Sequence, residues 1–217
     1  MTTVVVRGEA VRDVEPELAE FTVIVAARDK DRQAALARLR ERADGLRQFL
    51  DRYAEAIERR ESGGLHVHPE NARRGEKVTA YAGSVSTTVT VRDLTVLGEL
   101  MLTIADQDQT HVYGPTWKLR DDSPVHRETR RAAIGEAIAR AKEYAEALGA
   151  RVETLVELAD PGLSRGPEPI VAGFQTFAAQ AKRGGPGGAP DLQLDPERQR
   201  VFAAVEARFT ISDPTVL

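Results

Sequence analysis

The sequence predicts an α+β fold, an antiparallel-rich sheet with three helices packed on it, and three observations point there. Period-2 runs of Val, Thr and Phe open and close the chain, at Val4–Val25 and Arg200–Ser212, as half-buried strands do. Three intervening stretches carry apolar residues at three- and four-residue steps, the mark of amphipathic helices. The segments follow one another in the order ββαββαβαββ, which places the chain among proteins that bury helices on a sheet.

The opening reads VVVRGEAVRDVEPELAEFTVIV. Val4 and Val6 alternate with Val5 and Arg7, Gly8 interrupts the run, and Pro16-Glu17 punctuates it. Phe21, Val23 and Val25 then restart the alternation, so the expectation is a half-buried hairpin. Asp29–Tyr53 is the first helix, with Leu36, Leu39, Ala43, Leu46, Leu50 and Tyr53 on one stripe and arginines on the solvated sides. Ala54–Arg60 either prolongs that helix or leads into the next strand. Ser62-Gly63-Gly64 breaks the pattern before a short strand at Leu65–Pro69, in which Leu65 and Val67 face inward. Asn71–Gly75 is polar enough for a turn, and Val78–Val91 returns with Val85, Thr87, Val89 and Val91 on one face and a wet Ser/Thr face opposite.

Asp93 is placed to cap the next helix, whose buried stripe is Leu94, Leu97, Leu100, Met101 and Ile104. Thr110–Arg120 is a further strand. Ser123-Pro124 is a capping hydroxyl followed by a residue that needs no amide partner, so the third helix starts there. It runs to Leu148 with Ile134, Ile138, Ala141, Ala145 and Leu148 inward, and Gly149 supplies the left-handed stop. Arg151–Ala159 alternates again. From about 161 to 196 the chain turns rich in Gly and Pro, including RGGPGGAP at Arg183–Pro190. That excursion interrupts one domain spanning 1–217, and the last strand, with Val201, Ala203, Val205, Ala207, Phe209 and Ile211 inward, closes it.

Composition excludes several function classes. A net charge of −4 with Lys and Arg spread throughout offers no basic stripe for a phosphate backbone, and aromatic residues are 5%, too few for base-stacking platforms. No nucleic acid is expected as a partner. The absence of cysteine removes disulfides and thiolate chemistry. No apolar run reaches spanning length, and the first ten residues, MTTVVVRGEA, resemble no secretory leader. Cytoplasm is the expected compartment.

The order of elements, with Val6-Arg7-Gly8-Glu9-Ala10, Val14-Glu15-Pro16-Glu17-Leu18-Ala19, Ala80-Tyr81-Ala82, Val89-Thr90-Val91-Arg92-Asp93-Leu94, Leu97-Gly98 and Ala147-Leu148-Gly149, resembles the SIMPL-domain family of bacterial and animal proteins. Essentially the whole chain takes part, and the weight lies in the order of the motifs. The resemblance implies a non-catalytic protein, often self-associating, loosely linked to stress tolerance or to binding other proteins. The family has no agreed catalytic residues to carry over, and its secreted members carry a signal peptide that is not seen here.

His66, His68 and Glu70 share a strand face, and two imidazoles with a carboxylate suit zinc, but Pro69 bends the strand and the alternation leaves both histidines as solvated residues. Asp106-Gln107-Asp108 starts like a calcium loop, yet His111 stands where glycine is required and Trp117 where glutamate should be. Gly184–Gly188 lacks the Lys-Ser/Thr of a phosphate cradle. His111 and His126 lie near Asp121, Asp122 and Ser123 in sequence, but no Gly-x-Ser-x-Gly elbow is present and Ser123 is explained as a cap. No cofactor and no metal are therefore expected. Ile170, Phe174, Phe177, Ala178 and Ala181 would share one helical face inside the excursion, and they are the candidate contacts for a sister subunit or protein partner. The reading is a self-associating scaffold or binding protein. Its rivals are a metal-dependent or hydrolytic enzyme using His66, His68 and Glu70 or the His111/His126 region, and a small-ligand binding module.

Overall fold

The computed structural model describes residues 2–71, 78–163 and 194–216. Its elements follow the predicted order: β1 (Thr2–Val14), β2 (Leu18–Asp29), α1 (Arg32–Asp51), β3 (Ile57–Asn71), β4 (Val78–Val91), α2 (Leu97–Ala105), β5 (Thr110–Lys118), α3 (Pro124–Ala147), β6 (Val152–Ala159) and β7 (Gln199–Ile211). The α+β class stands. The strands, however, divide into two sheets, of order β1-β7-β6 and β3-β4-β2-β5, where one was expected. The chain correspondingly forms two compact units, the first drawn from Met1–Val14, Asp121–Gly187 and Arg200–Leu217, the second from Glu15–Arg120 and Gly188–Gln199.

The division corrects the opening hairpin. β1 lies beside β7, whereas β2 pairs antiparallel with β4 and β5. Alternation shows that a segment is half-buried but not which strand it joins. Pro16 lies in the interval between β1 and β2, where its missing amide removes a ladder donor, and the chain passes from one sheet to the other.

In the first unit α3 covers the inner face of the sheet. Val201, Ala203, Val205, Ala207, Phe209 and Ile211 of β7 are buried, as their alternation predicts. The helix stripe differs from expectation: Thr129, Ala133, Ala137, Ala141 and Ala145 are buried at strict four-residue spacing, while Ile138 is 38% exposed. The cause is Gly8. A Cβ built there would lie 2.1 Å from the Ala133 carbonyl oxygen and 2.5 Å from the Ala137 amide nitrogen, so strand and helix backbones touch and leave room for methyl groups alone. Larger side chains are displaced to the flanks. Thr129 is tolerated because its hydroxyl donates to the Val125 carbonyl at 2.7 Å.

The ends of α3 divide. Gly149 has φ +68°, its amide donates to Glu146 at 2.9 Å and that of Ala150 to Ala145 at 2.8 Å, the paired bonds of a Schellman stop. Ser123 occupies the N-cap position, yet its hydroxyl makes no capping bond; Pro124 alone carries that start signal.

The second unit buries Phe21, Val23, Val25, Leu39, Leu46, Leu50, Val89, Val91, Leu97, Leu100 and Ile104 in one cluster. Each such side chain contributes about 1.5–3 kcal/mol, so this cluster is the main source of the unit's stability. α1 starts later than expected because the Asp31 carboxylate accepts the Ala34 amide at 2.9 Å, closing the first turn. Asp93 behaves as predicted, accepting from the Thr95 amide at 3.0 Å, although it caps a short 3-10 turn that runs into α2. β3 runs on through Ser62-Gly63-Gly64 as a 15-residue strand, absorbing the glycines as a register shift between Ser62 and Leu65. The supposed wet face of β4 is half-buried at Ser84, Ser86 and Thr88 and fully buried at Thr90.

Candidate functional site

The constellations singled out by sequence fare differently. His66 and His68 are exposed on β3, opposite Ser84 and Ala82. Glu70 is not available to them, since Arg28 Nε donates to its carboxylate at 2.7 Å. Among the described residues no group of three His, Asp or Glu side chains gathers as a metal ion requires. Leu65, expected inward, is 63% exposed. Leu65 still sits opposite Val85, which packs against the core, so it keeps the predicted face but lies on an outer strand where little covers it.

His111 is exposed on β5 in the second unit, whereas His126 stands in the first turn of α3 in the first unit. A polar cleft of about 520 Å³ does collect His126 with Asp121, Asp122, Ser123 and two arginines, Arg127 and Arg130. Its lining mixes both charge signs. Ile170, Phe174, Phe177, Ala178 and Ala181 lie outside the described residues.

One surface was missed by sequence reading. β6 is an outer strand of its sheet, paired with β7 on one side. It presents Leu155 (48% exposed), Val156 (54%) and Leu158 (45%) to solvent. Leu155 and Leu158 sit opposite Phe209 and Ala207, which are buried, so they share the apolar side of the sheet. A register shift between Leu155 and Glu157 leaves Val156 without a counterpart. The signal was present in the sequence as apolar residues on both faces of one short strand, VETLVELA, but alternation at Val152, Thr154 and Leu158 masked it.

Ionisation marks local turns and one helix contact. The Thr95 hydroxyl and amide hold the Asp93 carboxyl below its ordinary range, and the Asp31 amide does the same for Asp29. Burial, then the hydrogen bond to Glu99, pushes the Tyr53 hydroxyl up. Each is explained by caps and packing.

The fold and its surfaces define a small α+β protein of two sheet-and-helix units, one of which exposes three apolar residues close together on an edge strand. Residues 4–209 match the model of the SIMPL family, described as protein of unknown function (DUF541), and the chain belongs to that family. It is similar to two relatives, each named 26 kDa periplasmic immunogenic protein, from Brucella melitensis biotype 1 and Brucella abortus. Each is 30% identical over 193 residues, 82% of this chain and 74% of the relative. Their names overturn the cytoplasmic expectation. A chain that opens on a strand has the same appearance whether or not a leader preceded it, so MTTVVVRGEA carries no information on compartment. No helix among the described residues is long and apolar enough to cross a membrane.

Proposed function

We propose that the chain is a non-catalytic binding protein that self-associates, and that it works in the periplasm as the names of its two Brucella relatives indicate for them. The observation that carries the reading is β6, whose exposed Leu155, Val156 and Leu158 lie on an outer strand. β6 carries Glu153 and Glu157, but the three exposed apolar residues beside them leave a strand edge that can template another strand. A second copy supplies the same edge, so antiparallel pairing of β6 with β6 gives a two-fold interface that satisfies both. The segment from Ile170 to Ala181 is a second candidate contact within the same proposal. Stress tolerance, implied by the family resemblance, is the proposed consequence, and lower peroxide survival of cells lacking the protein is the expected phenotype.

Sedimentation of the intact chain tests assembly. The wild type is expected above the mass of one chain, and Val156→Lys with Leu158→Lys is expected at one chain's mass with its melting transition retained. A monomeric wild type, or unchanged assembly in the lysine variant and in a deletion of 166–190, overturns the reading. Fractionation tests compartment, with the periplasmic fraction expected. The rival hydrolase is favoured by the cleft at His126; ester hydrolysis that disappears in Ser123→Ala and His126→Gln would replace the binding role.

A further inference from the structure

A cavity of about 360 Å³ lies between α1 and the β3–β4 ladder in the second unit, within the range of small-ligand sites. Its lining is apolar at Ala43, Leu46, Leu50 and Val85, and the guanidinium groups of Arg47 and Arg60 and the Ser62–Thr87 hydroxyl pair of the ladder complete it. The space exists because the side chains around it are short or stand largely in solvent. Ala43 holds a position on the buried stripe of α1 with a single methyl, and Leu65, the partner of Val85 across the ladder, is largely in solvent.

The two arginines differ in their commitments. Arg60 Nη1 lies 2.7 Å from the Asp51 carboxylate and 3.5 Å from the Arg47 carbonyl. Both contacts hold the β3 side chain against α1 through one nitrogen, with donors left over because a guanidinium carries five. Arg47 is exposed, and its guanidinium has no carboxylate partner among the described residues. Asp51 neutralises one of the two cations, so the mouth keeps the charge of the other.

An apolar floor with, at its edge, a guanidinium that has no carboxylate partner among the described residues is complementary to a molecule with one anionic end and one hydrocarbon end. Such a ligand buries its tail against Leu46, Leu50 and Val85 and receives a charge-assisted bidentate bond at its head. We propose that this cavity binds a free amphipathic monocarboxylate of medium chain length. A neutral molecule of the same shape lacks the head contact, and a chain charged at both ends has a tail too polar for the floor. The site is independent of β6 and of the assembly reading.

Decanoate and decanol, titrated calorimetrically into the intact chain, separate the two contributions. Decanoate is expected to bind with a dissociation constant of about 0.1 mM, and decanol about tenfold more weakly. Arg47→Gln should bring decanoate to within about twofold of decanol, because it removes the charge and keeps most of the stem. Ala43→Leu should abolish binding of both while the protein still melts cooperatively. Should that variant fail to fold, methyl chemical shifts of Leu46, Leu50 and Val85 in the wild type decide, and decanoate must move them. Equal binding of acid and alcohol, an unaltered dissociation constant in Arg47→Gln, shifts confined to other methyls, or no saturable binding at millimolar decanoate each overturn the proposal.

Discussion

Gly8→Ala adds one methyl group at a point where strand and helix backbones already touch. The new Cβ would lie 2.1 Å from the Ala133 oxygen, 2.5 Å from the Ala137 nitrogen and 2.7 Å from the Ala137 Cβ. Ordinary contact begins near about 3.5 Å, so α3 must retreat from β1 by more than about 1 Å. Two of the three atoms belong to helix backbone, which cannot rotate aside as a side chain would. Overpacking of this kind costs about 1–3 kcal/mol, and the backbone contact argues for the upper end. Against it stands the entropy of the unfolded chain, where alanine in place of glycine gains about 0.4–1 kcal/mol. The net expectation is a loss of about 2 kcal/mol. Gly135, on the exposed side of the same helix, meets nothing within 4 Å. Gly135→Ala has only the favourable part and should gain about 0.5–1 kcal/mol. Equilibrium urea unfolding followed by circular dichroism reads both, with hydrogen exchange at the α3 amides locating the change. The reasoning is refuted if Gly8→Ala is as stable as the wild type, or if both substitutions move stability in the same direction.

Three further outcomes follow from packing and charge. Leu100→Ala, at a fully buried position of α2, should cost about 2–5 kcal/mol through lost burial and the cavity left behind, checked by the urea midpoint at constant slope. Gly114 has φ +122°, and a Cβ there would lie 3.1 Å from the Glu20 oxygen and 3.2 Å from the Phe21 Cα; Gly114→Ala should cost about 1–3 kcal/mol and lower the melting temperature. The Asp93 carboxyl is held low by Thr95, so its contribution is present above the unfolded-state value of 3.8 and is lost as pH falls through the lower folded value. The stability difference between wild type and Asp93→Ala should therefore be full at neutral pH and shrink in acid below that window, as urea titrations across the acid range would show; a difference independent of pH refutes the assignment.

The fold was legible wherever one local rule decided it. The alternation from Val201 to Ile211 gave the buried face of β7 residue by residue, and Gly149 gave the end of α3. Phe21, Val89 and Phe209 are buried as the pattern requires. What stayed illegible depends on partners distant in sequence. Nothing within Val4–Val25 says that β1 belongs beside β7, nearly the whole chain away, and not beside β2. Ile138 looks more hydrophobic than Ala137, so a reading by periodicity alone buries the isoleucine. The opposite is true because Gly8, some 130 residues earlier, sets the distance between helix and strand. At the candidate surfaces, the histidine pair was visible as a pattern but Arg28, which takes Glu70 from it, is 42 residues away. The edge position of β6 is a property of sheet order and has no local signature.

Where the local rules are broken, the exceptions divide into two kinds. Gly8 and the alanines of α3 look like a weak strand and a weakly amphipathic helix, yet each is the condition of the other: the bare strand position admits the helix backbone, and the small helix residues exploit the approach. That deviation is fully compensated within the fold. Leu155, Val156 and Leu158 in solvent, and Arg47 without a carboxylate beside an unfilled apolar cavity, have no such compensation among the described residues. Apolar area left in water lowers stability relative to simple substitutions that would remove it. A lysine on β6 or a leucine at Ala43 would suffice. It is at these two places that the proposed partners, a sister chain at the strand and an amphipathic anion at the cavity, would act.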